Sequence, residues 1–225
     1  MIDEKFIKVA SLIGEEEFSR IQNKKVYIAG LGGVGGTTFM ALVRSGVRNF
    51  VIVDKDKVAP SNLNRQVFYD LDDINRPKAL VAAEKAGLIS QDLDLEVYQA
   101  NVEDVLPRDD IDFIVDCIDD VEAKITLIKY AQEHHIPLIT SMGMANKMDP
   151  TKIKYGTLNK SSVDPLAKKM RYELKRRGID YSSIMCVYSD ETPTKDGNKL
   201  NSLITVTSTA GLYIASFVLN NLKSN

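Results

Sequence analysis

The chain has 225 residues, 44% hydrophobic and 27% charged, with a formal net charge of −2, which is enough for one large domain with a sizeable core. So balanced a charge supplies no global attraction for nucleic acid, and any such binding needs a local patch; no stretch reaches the roughly 18 consecutive apolar residues of a membrane span. The two cysteines, Cys117 and Cys186, are too few for a disulfide framework or a four-cysteine zinc site, and Asp3 and Glu4 do not suit a secretory signal, so a cytoplasmic protein with no membrane span is expected.

A helical stretch from Ile7 to Ser19 opens the chain, within an N-terminal extension over residues 1–24. Strand and helix then alternate: a strand from Lys25 to Ala29, a helix from Gly36 to Ser45, a strand from Phe50 to Asp54 and a helix from Lys78 to Ile89. Leu95 to Gln99 and Phe113 to Cys117 read as strands, Val121 to His134 as a helix and Pro137 to Thr140 as a strand. Such alternation predicts a mostly parallel Rossmann-like α/β sheet with helices on both faces, its nucleotide-binding core spanning residues 25–141. Beyond Asp149-Pro150 the pattern changes to a strand at Lys152 to Thr157, a basic helix at Pro165 to Arg177 and a strand at Ile184 to Tyr188. A polar loop from Asp190 to Lys199, containing Pro193 and Gly197, reads as mobile; a last strand at Leu203 to Val206 and a closing helix from Thr209 to Leu222 follow. Residues 142–225 thus read as an elaborated, substrate-side third that adds antiparallel strands to a single domain. There is no internal repeat or low-complexity run.

The chemistry concentrates at the ends of these strands. Gly30-Leu31-Gly32-Gly33-Val34-Gly35 follows a strand and opens a helix, the context in which G-x-G-x-x-G brings backbone amides against phosphate at a helix N-terminus. Asp54, at the end of the second strand, stands where a ribose-binding carboxylate is expected. In place of an immediate crossover, Ser61-Asn62-Leu63-Asn64-Arg65-Gln66 comes next, a cluster of amides around an arginine that suits a triphosphate. Arg65 offers a planar fork of donors and Lys78 a point charge at the start of the next helix; together they can neutralise a departing pyrophosphate. Asp116, Asp119 and Asp120 lie at the carboxyl end of a buried strand, where open α/β sheets bind ligands. Asp116 can share a metal or hold neighbouring amides, and Asp56 can assist the nucleotide or cap its turn. Cys117 and Cys186 read as small core residues, and His134 and His135 as cations closing a helix.

On the basic helix, Lys168, Arg171 and Lys175 fall three and four apart on one face, while Leu166, Met170 and Leu174 repeat on another. A basic stripe opposite an apolar one fits a helix that tracks a nucleic-acid backbone, and equally a solvated surface.

Taken together, G-L-G-G-V-G, V-D-K-D-K-V (Val53 to Val58), S-N-L-N-R-Q, R-P-K (Arg76 to Lys78) and D-C-I-D-D (Asp116 to Asp120) resemble the ubiquitin-activating-enzyme-like adenylating proteins over residues from about Arg20 to Thr140. Three later segments, Thr140 to Ile153, Asp164 to Ile179 and Val187 to Pro193, are similar to the tRNA threonylcarbamoyladenosine dehydratases within that family. The resemblance implies ATP-dependent cyclisation of N6-threonylcarbamoyladenosine in tRNA through an acyl-adenylate on the threonyl carboxylate. Arg65 and Lys78 match the family's phosphate-contacting positions and Asp119 its magnesium-associated acid; these three are the implied catalytic residues. The implied nucleotide site comprises Gly30, Gly32, Gly33 and Gly35, Asp54 and Asp56, Ser61, Asn62, Asn64, Arg65 and Gln66, Lys78, and Asp119 with Asp120. ATP and Mg2+ are the implied cofactors, and tRNA, contacted by Lys168, Arg171 and Lys175, the implied partner, with a homodimer and a sulfur-transfer helper protein beside it.

Ring closure joins groups already tethered in one side chain, so it asks for no enzyme nucleophile. The same residues would also serve to adenylate the C-terminal carboxylate of a ubiquitin-like sulfur-carrier protein, the alternative function. A nicotinamide enzyme or a non-catalytic nucleotide-binding partner is the reading from other classes. The chain departs from the family pattern twice: Ile7 to Ile13 holds Lys8 but no arginine to reach a neighbouring subunit's ATP site, and zinc-binding cysteine pairs are missing.

Overall fold

The computed structural model describes residues 2–194 and 199–224; Gly197 of the polar loop lies outside them. Short runs of β-branched and aromatic residues form β1 (Lys25–Ala29), β2 (Asn49–Val53), β3 (Asp94–Tyr98), β4 (Phe113–Asp116) and β5 (Leu138–Ser141), followed by β6 (Ile153–Thr157) and β7 (Met185–Ser189). They assemble into one seven-stranded sheet in the order β3-β2-β1-β4-β5-β7-β6. All neighbours pair in parallel except β6, which runs antiparallel to β7 at the edge. The central strands β1, β2 and β4 are apolar on both faces, as a sheet covered on both sides requires.

Register decides where the ends fall. Ala29 lies opposite both Val53 and Asp116, and Asp116 opposite Thr140, so β1, β2, β4 and β5 finish at one level. The chain winds outward from β1 to β3 and then returns to the other side of β1 as β4, which makes the β1/β4 boundary a topological switch point, the place where such sheets open a ligand crevice.

One face of the sheet, including Val26, Ile28, Phe50, Ile52, Phe113 and Val115, packs in a core shared with α3 (Gly33–Arg44), α4 (Lys78–Gly87) and α7 (Ile204–Ser224). The opposite face receives α5 (Val121–Glu133) and α6 (Pro165–Arg176). Helix α7 lies so close to α3 that a Cβ at Gly211 would stand 2.6 Å from the Val34 carbonyl oxygen; close backbone approach fixes glycine there. Thr38 Oγ1 donates to the Gly211 carbonyl at 3.1 Å across the same contact.

Two predicted elements are corrected. The N-terminal helix is two helices, α1 (Ile7–Ile13) and α2 (Glu15–Asn23), because Gly14 at φ +96° breaks the run and ends one helix as it starts the next. Of the predicted strand at Leu203 to Val206, Ile204 to Val206 form the first turn of α7 and Leu203 precedes it. Its β-branched residues favour a strand locally, but Val206, Ala210, Ile214, Val218 and Leu222 repeat every four residues and are all buried, and burying that stripe in the core shared with α3 outweighs the local preference. Among the described residues no helix is long and apolar enough to cross a membrane.

Candidate active site

Beyond the carboxyl ends of β1, β2, β4 and β5 opens a cavity of about 770 Å³. Its floor is the glycine turn. Gly30 has φ +84°, and a side chain there would meet the Cys117 carbonyl oxygen at 2.8 Å. Gly33, the first residue of α3, has Thr207 Oγ1 and the Arg65 carbonyl oxygen within 3.2 Å of where its Cβ would stand, so the helix N-terminus is pressed against its neighbours and offers only backbone to a ligand. Gly30, Gly32 and Gly33 line the cavity; Gly35 does not, since it packs directly on the Gly30 carbonyl.

Asp54 holds this turn in shape. Its Oδ2 accepts from the Leu31 amide at 2.6 Å and its Oδ1 from the Asp56 amide at 2.8 Å. Burial pushes its carboxyl upward, against the charge of Lys78 and the two amide bonds. A carboxylate oxygen keeps a second lone pair, so both bonds are compatible with a ribose hydroxyl; Asp54 therefore organises the turn and faces the cavity at once.

The cations are anchored before any ligand is present. Lys78 Nζ lies 3.0 Å from Asp56 Oδ2, and its own amide donates to the Asp56 carbonyl. Asp56 thus orders the approach to α4 and partners the lysine. Arg65 donates to the Ser61 carbonyl at 2.8 Å and to Asn64 Oδ1 at 3.0 Å, with most of its fork left over. Asn62 Oδ1 accepts from the Ala59 amide, which leaves its NH2 for a ligand. Gln66 is 5% exposed and its Oε1 has no hydrogen-bond partner among the described residues. Buried amide oxygens are almost always paired, and this one stands without a protein partner on a residue that lines the cavity. Asn62, Arg65, Gln66 and Lys78 line the cavity, whereas Ser61 and Asn64 stand behind it, Ser61 holding Arg65 and Asn64 reaching the Ser202 carbonyl at 2.9 Å.

The three acids at the end of β4 have separate fates. Asp116 is wholly buried and accepts from Lys124 Nζ at 3.0 Å, Thr140 Oγ1 at 2.6 Å and the Ile118 amide at 3.1 Å. It lies outside the cavity lining, so of its two readings the structural one holds. Asp120 lines the cavity and caps α5 through the Ala123 amide at 2.9 Å. Asp119 lines the cavity, is exposed, and makes no hydrogen bond among the described residues. A free carboxylate beside a phosphate turn fits Mg2+, a hard cation that takes one or two protein oxygens and completes its shell with phosphate and water.

Burial pushes both thiols, Cys117 and Cys186, to about 12. Neither supplies thiolate near neutrality, although Cys117 sits at the cavity wall, where the sequence reading had placed a core residue.

The remaining wall falls within two segments of the dehydratase resemblance, Thr140 to Ile153 and Asp164 to Ile179, although the sequence assigns no role to its individual residues. Ser141 through Lys147, with Asp164, Pro165 and Leu166 at the start of α6, closes the cavity opposite the glycine turn. Lys147 and Asp164 form an ion pair of 2.6 Å with both side chains at 0% exposure. A signal existed, since Ser141 to Lys147 directly follows a strand end on the ligand side of the sheet. Leu200, Ser202 and Thr207 also line the cavity, and no local motif announces them. Of the basic stripe, Lys168 and Lys175 are exposed, but Arg171 turns inward to donate to the Leu158 and Ser161 carbonyls at 3.0 and 2.7 Å; it fastens α6 and is removed from the predicted nucleic-acid contact. His134 stacks on Tyr130 and pairs with Asp109 at 3.2 Å, far from this chemistry in role.

The cavity's composition agrees with what the chain is similar to. The ThiF family model matches residues 6–222. Over 209 residues the chain is 36% identical to tRNA threonylcarbamoyladenosine dehydratase 2 of Saccharomyces cerevisiae, covering 88% of this chain and 46% of that protein, so it spans about half of that relative's length. It is 36% identical over 187 residues to tRNA threonylcarbamoyladenosine dehydratase of Bacillus subtilis, covering 80% of this chain and 72% of the relative. The crystal structure of the Escherichia coli tRNA N6-threonylcarbamoyladenosine dehydratase TcdA in complex with ATP superposes with a TM-score of 0.91 at 30% identity, covering 100% of this chain and 97% of that one.

Proposed function

The chain belongs to the ThiF family, and we propose that it is an ATP-dependent tRNA threonylcarbamoyladenosine dehydratase that activates the substrate's threonyl carboxylate as an acyl-adenylate and then closes the ring. The observation that carries this reading is the convergence of the glycine turn, Arg65, Lys78 and the unpartnered Asp119 on one cavity. ATP fits with its phosphates at the Gly32-Gly33 amides and its ribose at Asp54, within a cavity large enough for a nucleotide and a second reactant.

The residues divide the work. The carboxylate oxygen bonds to the α-phosphorus as pyrophosphate departs with the electrons of the broken P–O bond. Arg65 and Lys78 lie where that departing charge needs cations, and preorganised charge supplies most phosphoryl-transfer catalysis. Asp119 would hold a Mg2+, which would supply further charge neutralisation at the phosphates. In the second stage a ureido nitrogen of the same side chain bonds to the acyl carbon, AMP leaves with the former carboxylate oxygen, and the nitrogen loses its proton; the net result is loss of one water from the nucleoside. Tethering makes this step effectively unimolecular, in keeping with thiols that burial keeps protonated.

Lys168 and Lys175 are proposed as phosphate contacts for tRNA on the exposed face of α6. A homodimer is supported by an apolar groove of about 490 Å³ among α1, α2, α3 and α7 that Leu12, 85% exposed, borders. The reading is tested by incubating the protein with ATP, magnesium and threonylcarbamoylated tRNA, followed by nucleoside mass analysis. A product lighter by one water is expected; ATP–pyrophosphate exchange stimulated by a sulfur-carrier protein, with no such product, would reverse the assignment.

A further inference from the structure

We propose that the backbone amides of Met144 and Ala145 form an oxyanion seat for one oxygen of the substrate carboxyl group, held in place by the buried Lys147–Asp164 pair. The inference rests on the dehydratase reading and extends it to the wall opposite the glycine turn.

Four observations converge on this short segment. Both residues line the cavity, Met144 buried and Ala145 half-buried. Neither amide has an acceptor among the described residues, whereas Met142 donates to Val187, Gly143 to Asp164, Asn146 to Asn201 and Met148 to Glu191. Backbone donors removed from water are almost always paired, so two neighbouring amides at a cavity wall with no protein acceptor are available to a ligand acceptor. Third, the chain turns at Ala145-Asn146 with Asn146 at φ +59° while Ala145 stays on the negative side. This is the pattern of a type II turn, whose internal bond runs between its first and fourth residues and leaves the second residue's N–H over.

The fourth observation is the support behind the turn. Lys147 Nζ donates to the Gly143 carbonyl at 2.5 Å and to Asp164 Oδ2 at 2.6 Å, at 0% exposure for both charged side chains. The ammonium thus sits on the carbonyl of the peptide whose N–H belongs to Met144, polarising that donor. Asp164 binds the Gly143 and Ala167 amides as well, which ties the wall to the first turn of α6. A buried pair of this kind is weak evidence for stability, because an apolar pair of the same shape is often as stable. Its use here is placement, and Lys147 is a positioning residue that acts through the Gly143–Met144 peptide.

The chemistry at the seat is balanced. One carboxylate oxygen rests on the two amides while the other bonds to the α-phosphorus and pyrophosphate leaves. The seated oxygen is then the carbonyl oxygen of the acyl-adenylate. As the ureido nitrogen adds to the acyl carbon, the C=O electron pair moves onto that oxygen, where two preorganised donors receive it; it returns as AMP departs.

Ala145→Pro tests the seat directly. Proline removes this N–H and suits the second position of a turn whose third residue has positive φ. The variant is expected to keep its thermal midpoint and to bind ATP within about threefold, while turnover of threonylcarbamoylated tRNA at saturating substrate falls about 100- to 1,000-fold, the range for losing one oxyanion donor. Ala145→Ser, which keeps the N–H, should lose far less kcat than Ala145→Pro. Lys147→Met should lower kcat without weakening ATP binding, with partial recovery in Lys147→Arg, and it decides the matter if the proline variant does not fold. Wild-type kcat in the folded proline or methionine variant, or a rise confined to KM, overturns the seat. A wild-type protein that yields no dehydrated nucleoside overturns the dehydratase reading and the seat with it.

Discussion

Lys78→Met separates catalysis from folding more cleanly than any other change at the site. The ammonium sits 3.0 Å from Asp56 on a side chain only 7% exposed, but Asp56 itself is 55% exposed. Methionine fills the same channel, and what the fold loses is one ion pair whose acid partner water can solvate, so the cost is below about 1 kcal/mol. At roughly 2–4 °C per kcal/mol for a domain of this size, the thermal midpoint should fall by less than about 4 °C. The transition state loses far more: a full charge beside the departing pyrophosphate, worth about 3–4 kcal/mol by analogy with removal of one preorganised donor, or about 100- to 1,000-fold in rate. Circular dichroism melts and single-turnover formation of AMP from ATP and threonylcarbamoylated tRNA measure the two terms separately. A folded methionine variant with the wild-type rate would refute the role of Lys78, and so would a rate loss matched by a melting shift several times larger than that computed.

Lys124→Met strips the charge partner from Asp116 with both side chains at 0% exposure; it should cost about 3–5 kcal/mol in a urea titration, with much of that recovered when Asp116→Leu is added. Glu96 supplies a pH signature: hydrogen bonds from Arg108 and then Lys25 lower its carboxyl to about 2. The folded value lies below the unfolded one, so this stabilisation is complete above about pH 5 and is lost as pH falls toward about 2. Urea midpoints of the wild type and Glu96→Gln should therefore converge over that interval. Lys168→Glu with Lys175→Glu should weaken tRNA binding and flatten its salt dependence by about two phosphate contacts while leaving ATP affinity unchanged. Arg171→Ala, which breaks two bonds to backbone carbonyls, should instead appear as lost stability.

The parallel core was legible because each of its strands is a short apolar run ending where a turn, a glycine or an acid begins, and the fingerprint around Gly30 to Gly35 carries its own structural context. Residues whose roles depend on a local turn, such as Gly33, Asp54 and Lys78, were readable for the same reason. What escaped was tertiary. The start of α7 looks like a strand until the four-residue spacing from Val206 onward meets α3. Asp116 and Asp119 are three residues apart and indistinguishable as letters, yet one is sealed beneath Lys124 and Thr140 and the other is open to the cavity. Arg171 belongs to a convincing basic stripe and nonetheless points at carbonyls thirteen and ten residues upstream. Lys147 falls within the Thr140 to Ile153 segment of the resemblance, but its pairing is not legible there because Asp164 stands seventeen residues away, and only the packed fold brings them together.

The tethering of Arg65 to Ser61 and Asn64, and of Lys78 to Asp56, has a bearing on which anions the empty protein will retain. Each cation already has a companion, so a small anion such as free phosphate gains little by displacing one of them. A triphosphate reaches both, together with the amides of the glycine turn, and can exchange all these companions in a single event. Discrimination against small simple anions is thus expected to follow from the pairing of each cation within the protein, with no group devoted to excluding them.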